Sequence, residues 1–130
     1  MYYVYIAIFG SIGATTRYWI SMTLESGLLP YNTLLINVIG CFLLAIIIKY
    51  LSTFSRISQS LITGLGTGLI GSFTTFSAFS VQTANLLLDG HYFIAAAYVL
   101  SSILCGFLSA ALGVYISNKL IARREIEKNG

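Results

Sequence analysis

The chain is poor in charge. Seven Lys or Arg and four Asp or Glu make up 8% of its 130 residues, against 57% hydrophobic residues. A water-soluble domain carries about a quarter charged residues, so soluble globular folds are excluded. Disordered tails, which combine low hydrophobicity with high net charge, are excluded for the opposite reason. The two cysteines, Cys41 and Cys105, both lie in apolar stretches. They are too few for a disulfide scaffold and read as small core residues. A single histidine, His91, rules out a His-based metal cluster. Net charge is +3, but the bases gather near the ends of apolar runs. Nucleic acid would require a basic face, and none is expected as a partner. What remains is an integral membrane protein.

Four runs, at roughly 2–24, 33–51, 61–88 and 94–118, reach the ~20 apolar residues a bilayer crossing needs. The expectation is an all-α membrane protein, one four-helix transmembrane domain over 1–130 with no room for a second. The first run lacks a basic leading segment and continues through Arg17 without a small-residue cleavage site, so it does not read as a signal peptide. Short polar connections separate the runs. Residues 25–32 hold the only proline, Pro30, beside Gly27 and Asn32, which is turn chemistry. Residues 52–60 are polar, 89–93 carry Asp89, Gly90 and His91, and the tail after Asn118 reads as a frayed, solvated helix.

Four spans place the N-terminus, the 52–60 connection and the C-terminus on one side. That side holds Lys49, Arg56, Lys119, Arg123, Arg124 and Lys128, six in all, and the other side has at most Arg17. The positive-inside rule then puts both termini of a plasma-membrane protein in the cytoplasm.

Polar groups inside hydrocarbon are costly and require a reason. In the second span Thr33, Asn37, Gly40 and Cys41 share one helical face, Asn37 lying four residues after Thr33 and three and four before Gly40 and Cys41. The Asn37 carboxamide either bonds a neighbouring helix or faces a wet pathway, where it can donate N–H bonds to an anion. The fourth span repeats the pattern with Tyr98, Ser102, Cys105 and Ser109, with Ser101 beside them. Its hydroxyls suit either an ion track or bonds between helices, while Gly106 and Gly113 suit close packing.

The third span is the most informative. Gly64, Gly66, Gly68 and Gly71 precede the Ser/Thr-rich stretch Ser72-Phe-Thr-Thr-Phe-Ser-Ala-Phe-Ser80. Residues 66–71 match G-x-G-x-x-G, but no strand precedes them and no βαβ unit fits, so the dinucleotide reading fails on context. Each glycine weakens a helix by about 1 kcal/mol relative to alanine. A helix broken mid-membrane is expected, its freed backbone groups met by an ion, water or a partner chain; tight packing on glycine surfaces is the alternative. Phe76 and Phe79, three apart among Thr75, Ser77 and Ser80, point to an interior face. Their ring edges carry partial positive charge and can take the place of water around a small anion. Arg17 either snorkels to the interface or lines a vestibule that concentrates anions. No acidic residue lies inside a span, which favours an anionic or neutral solute.

These residues resemble the CrcB/Fluc fluoride channels over essentially the whole chain. The first span reads Gly10-Ser-Ile-Gly13-Ala-Thr-Thr-Arg17-Tyr18, similar to G-x-x-G-A-x-x-R-[YW]. The second reads Asn32-Thr33-Leu-Leu-Ile-Asn37-Val-Ile-Gly40, similar to G-T-L-x-x-N-x-x-G, with Asn32 as a loop substitution of little expected consequence. The third, Gly71-Ser-Phe-Thr74-Thr75-Phe76-Ser-Ala-Phe79, resembles G-G-x-T-T-F-S-T-F. The resemblance implies an antiparallel, inverted dimer of four-helix subunits with two fluoride pores along the interface. It also implies a structural, untransported Na⁺ held by main-chain oxygens of Gly71 and Thr74. Asn37, Phe76 and Phe79 match the pore residues, and Tyr98 and Ser102 match the hydroxyl track more loosely; Thr33 and Arg17 join them as candidates. The expected partners are fluoride, membrane lipid and an inverted second subunit. That subunit is either a flipped copy or, as the one-sided charge favours, a paralogous chain. No site for covalent chemistry is present, so no enzyme is expected. A small proton-coupled multidrug-type exporter would need an intramembrane carboxylate. A non-transporting assembly protein would leave Asn37, Arg17 and the Thr-Thr-Phe cluster unexplained.

Overall fold

A computed structural model describes residues 2–24 and 27–130; Glu25, expected in the first connection, lies outside the described residues. Regular structure among the described residues is helical throughout. α1 covers Tyr2–Thr23 and α2 covers Tyr31–Lys49, followed by a 3-10 turn at Leu51–Thr53. The third region is composite: α3 at Gln59–Thr63, a π-helical stretch at Gly64–Ile70, α4 at Gly71–Phe73 and α5 at Phe76–Leu88. α6 runs over Tyr92–Asn129.

Among the described residues, three stretches are long and apolar enough to cross a membrane: Tyr31–Thr53, Gln59–Leu88 and Tyr92–Asn129. α1 is not among them. Its 22 residues span about 33 Å, which suffices in length, but Ser11, Thr15, Thr16 and Arg17 dilute its hydropathy. The hydroxyls are nonetheless satisfied within the helix. Ser11 donates to the Ala7 carbonyl at 2.9 Å, and Thr15 and Thr16 donate to the Ser11 and Ile12 carbonyls, each at 2.8 Å.

Glycine seams set how the helices lie. A Cβ on Gly13 would overlap the Leu69 carbonyl, and one on Gly68 would come within 2.9 Å of the Ile6 carbonyl oxygen. Tyr5 meets Gly64, Ile6 meets Gly68 and Gly10 meets Ser72. Numbers rise together, so α1 and the third region run parallel. In the same way Cys41 faces Gly106 and Ala45 faces Gly113, so α2 and α6 run parallel. This alternation places the connection after α2 beside the end of α6, where Arg124 lies on the Phe54 ring. Pro30 and Asp89 meet at the opposite end.

The glycines therefore act differently from the first expectation. Helical turns persist through Gly64–Ile70 in π form, and Gly64 and Gly68 are occupied by packing against α1. Helical dihedrals are lost further on, at Thr74 (φ −76°, ψ 158°) and Thr75 (φ −148°, ψ 121°). Asn32 also departs from expectation. It is buried in the first turn of α2, where its Oδ1 accepts from the Thr33 N–H at 2.7 Å, so it is not a loop residue.

Tyr98, Ile36 and Ser117 are the largest fully buried side chains. Much apolar surface faces outward, with Phe93 86% and Leu88 84% exposed. A soluble protein does not tolerate contiguous apolar surface on this scale; hydrocarbon does.

Candidate functional site

The site assembles where α2 passes the extended residues between α4 and α5. Asn37 Nδ2 donates to the Thr75 carbonyl at 3.0 Å, and its Oδ1 accepts from the Thr75 N–H at 2.9 Å. The side-chain amide thus pairs with the main chain as a neighbouring strand would. Backbone polar groups that leave a helix inside an apolar medium need such a partner. One N–H of the carboxamide remains beyond this pair.

Thr75 then starts the next helix. Its Oγ1 accepts from the Ala78 N–H at 3.1 Å, a side-chain N-cap. These bonds have a consequence for two carbonyls. A continuous helix would aim the Thr75 N–H at the Gly71 carbonyl and the Ala78 N–H at the Thr74 carbonyl. Here those donors go to Asn37 and to the Thr75 hydroxyl. Gly71 is also exposed on the surface of the single chain. Thr74 itself is turned inward, its Oγ1 donating to the Ile70 carbonyl at 2.8 Å. Its methyl group fills the space above Gly40, where a Cβ would overlap it. A cavity of about 280 Å³ opens beside these residues, walled in part by Asn37, Cys41, Thr74, Thr75 and Phe76.

Aromatic rings continue the line. The Phe76 and Phe79 centroids are 5.8 Å apart, and those of Phe79 and Tyr98 are 5.2 Å apart. Phe76 is 79% exposed on the single chain, whereas Tyr98 is fully buried. The Tyr98 hydroxyl donates to Gln82 Oε1 at 3.0 Å. Gln82 is the residue that reading the sequence missed. It lies six residues after Phe76, and only its position on α5 opposite Tyr98 brings it to the site.

The fourth-span hydroxyls are largely engaged. Ser102 and Ser101 donate to the Tyr98 carbonyl at 2.7 and 3.1 Å. Ser109 donates across to the Val38 carbonyl of α2 at 2.7 Å, which is the interhelical reading of that stripe. Thr33 is buried in the first turn of α2, bonded to Asn32 through its N–H. Arg17 is half-buried on α1, and its Nε is buried without a hydrogen-bond partner. The structure thus joins Asn37, Gly71, Thr74, Phe76 and Phe79 in one region and extends it to Tyr98 and Ser102.

Residues 4–114 match the family model described as CrcB-like protein, Camphor Resistance (CrcB). Among curated proteins, the chain is 46% identical over 125 residues to "Fluoride-specific ion channel FluC 2" of Listeria monocytogenes serovar 1/2a, covering 96% of this chain and 97% of the relative. It is 48% identical over 123 residues to the protein of that name in Listeria innocua, covering 95% of each. Identity to "Fluoride-specific ion channel FluC 1" of Bacillus cereus strain ATCC 10987 is 41% over 128 residues, with 96% and 93% covered.

Proposed function

Since the chain belongs to the CrcB-like family, we propose that it is a fluoride-selective channel of the plasma membrane that lets accumulated fluoride leave the cytoplasm by passive conduction. The observation that carries the reading is the Asn37–Thr75 pair beside the Phe76, Phe79 and Tyr98 rings. The pair leaves one carboxamide N–H for an anion, and the rings offer positive edges without a full charge that would trap it. Selectivity for a small anion needs this kind of contact, favourable enough to enter and weak enough to leave.

In this reading α1 is the fourth crossing, which its internally bonded hydroxyls permit. The interruption at Thr74 and Thr75 lies mid-membrane. Both termini face the cytoplasm. The functional unit is an inverted dimer with pores along the interface, because one chain leaves Phe76, Gly71 and the Ser11, Thr15 and Thr16 face of α1 uncovered. Thr33, Tyr98 and Ser102 belong to the pore wall, and Arg17 to its vestibule.

A structural Na⁺ fits the residues present. The Gly71 and Thr74 carbonyls, deprived of their helical donors, would hold it together with their counterparts in the second subunit. Carbonyl oxygens are hard ligands that replace the hydration shell of such an ion. When bound, it supplies a fixed positive charge that ties two interrupted helices together. Gly71 keeps the approach open; Asn37 keeps the Gly71 carbonyl free by taking the Thr75 N–H, and the Thr75 hydroxyl keeps the Thr74 carbonyl free by taking that of Ala78.

Reconstituted protein should release fluoride from liposomes electrogenically, without a proton gradient, while chloride and a lipophilic cation stay inside. Fluoride movement that depended on a proton or sodium gradient would overturn the channel reading.

A further inference from the structure

α6 continues well past its buried part. Ser117 is its last fully buried residue, and the helix runs on to Asn129. At 1.5 Å per residue Arg124 lies about 10 Å beyond Ser117, in reach of the headgroup layer that flanks the hydrocarbon. There the Arg124 guanidinium carbon sits 3.9 Å from the centroid of the Phe54 ring. This stacking fixes the tail against the connection that follows α2.

Phe54, Ser55, Arg56, Arg124 and Lys128 wall a cavity of about 480 Å³ between these two segments. Three of its five walls are cations and none is a carboxylate. Arg124 and Lys128 are four apart and share one face of α6. Glu127 stands three residues from Arg124 and Glu125 three from Lys128, at the flanks of that face, yet neither lines the cavity, and no ion pair neutralises the three bases among the described residues. Like charges held close together repel. A topological signal does not require them to converge, since Lys49, Lys119 and Arg123 carry the same charge from exposed, separate positions.

We propose that this cavity binds the phosphate of an anionic phospholipid headgroup. The guanidinium groups of Arg56 and Arg124 offer planar, paired donors suited to phosphate oxygens, and Lys128 adds a compact charge. The Ser55 hydroxyl supplies a further donor. Phe54 holds the Arg124 plane in place and borders the acyl region. Basic pockets at the ends of membrane helices recognise headgroups by this combination. The tail residues lie beyond the part of the chain matched by the family model, which ends at residue 114. The proposal does not depend on fluoride conduction.

Native mass spectrometry of the full-length protein, with phosphatidylglycerol and phosphatidylcholine added in equal amounts, tests it. Phosphatidylglycerol should be retained with roughly tenfold preference, and the double variant Arg124→Gln/Lys128→Gln should lose most of that preference. Arg123→Gln, on the exposed face, should keep it. Equal losses in Arg123→Gln and the double variant would mean that bulk charge alone holds the lipid, and would overturn the site. Unchanged retention in the double variant would overturn it as well. Titration with inorganic phosphate separates the two sources of the ligand. Saturable phosphate binding without lipid retention would assign the cavity to the free ion and overturn the lipid assignment.

Discussion

Asn37 and Thr75, 38 residues apart in sequence, are joined by two hydrogen bonds between a side-chain amide and a stretch of extended main chain, at 3.0 and 2.9 Å. The relationship ties α2 to the one point where the third region leaves helical geometry. Removing it exposes two backbone groups at once. Asn37→Ala should therefore destabilise the protein by about 1–3 kcal/mol for each unsatisfied group and lower fluoride efflux at least tenfold. Asn37→Asp keeps the acceptor for the Thr75 N–H but loses the donor, and it adds a negative charge facing an anion. Stability should partly recover and efflux should not. Thermal unfolding and liposome efflux, measured together, check both; wild-type efflux from Asn37→Ala would refute the assignment.

A second prediction follows from the Thr74 methyl, which occupies the place a Cβ would take on Gly40. Gly40→Ala should cost about 1–3 kcal/mol through overpacking and depress efflux by displacing Thr74. Combining it with Thr74→Ser removes the methyl and keeps the hydroxyl bond to Ile70. The double variant should be more stable than Gly40→Ala alone. Strict additivity of the two changes would show that the residues do not compete for this space.

The two phenylalanines can be separated by burial. Phe76 is 79% exposed on the single chain, while Phe79 packs between Phe76 and Tyr98. Phe76→Ile should leave the fold intact and reduce efflux by roughly tenfold, because an aliphatic side chain lacks the positive ring edge. Phe79→Ile should reduce efflux and also lower the unfolding temperature. Undiminished efflux from Phe76→Ile would remove that ring from the pathway.

Part of this arrangement is legible in the sequence. The glycines point to a break, and helical dihedrals are lost a few residues beyond them, at Thr74 and Thr75; the spacing of Phe76 and Phe79 puts their rings side by side. What periodicity cannot supply is the identity of the neighbour. Asn37 was open between bonding a helix and facing a pathway; its clamp on extended backbone is a third arrangement that spacing does not reveal. Gln82 was missed for the same reason, since its partner Tyr98 comes from another helix. The glycines misled because two effects share one signature. Gly64 and Gly68 serve close packing on α1, whereas Gly71 lies open beside the interruption. α1 is long enough to cross a bilayer, yet its hydroxyl stripe lowers its hydropathy.

Sodium removal gives a fourth prediction. The carbonyls of Gly71 and Thr74 are main-chain groups, so Thr74→Ala should retain conduction while Gly71→Val, which fills the open approach, should abolish it. Prolonged dialysis against Na⁺-free buffer should silence the protein slowly, as an enclosed ion escapes, and returning Na⁺ should restore it. Conduction indifferent to long depletion would count against a structural ion at these oxygens.

The last prediction concerns the second subunit. An inverted homodimer requires one chain to insert both ways, which works best when Lys and Arg are balanced across the membrane. Here Lys49, Arg56, Lys119, Arg123, Arg124 and Lys128 stand on one side, against at most Arg17 on the other. The structure gathers the connection after α2 and the end of α6 at one end of the molecule, which agrees with counting these charges together. Discounting the tail residues Arg123, Arg124 and Lys128, which stand among Glu125 and Glu127, leaves Lys49, Arg56 and Lys119 and the same sign of bias. Most copies should insert in one orientation, and a paralogous chain of opposite bias should supply the inverted subunit. Expressing this chain alone, with paired cytoplasmic and periplasmic reporters fused in turn to its C-terminus, should give a strongly one-sided signal and weak fluoride conduction. Equal signals from both sides, with full conduction, would show instead that the chain makes its own inverted partner.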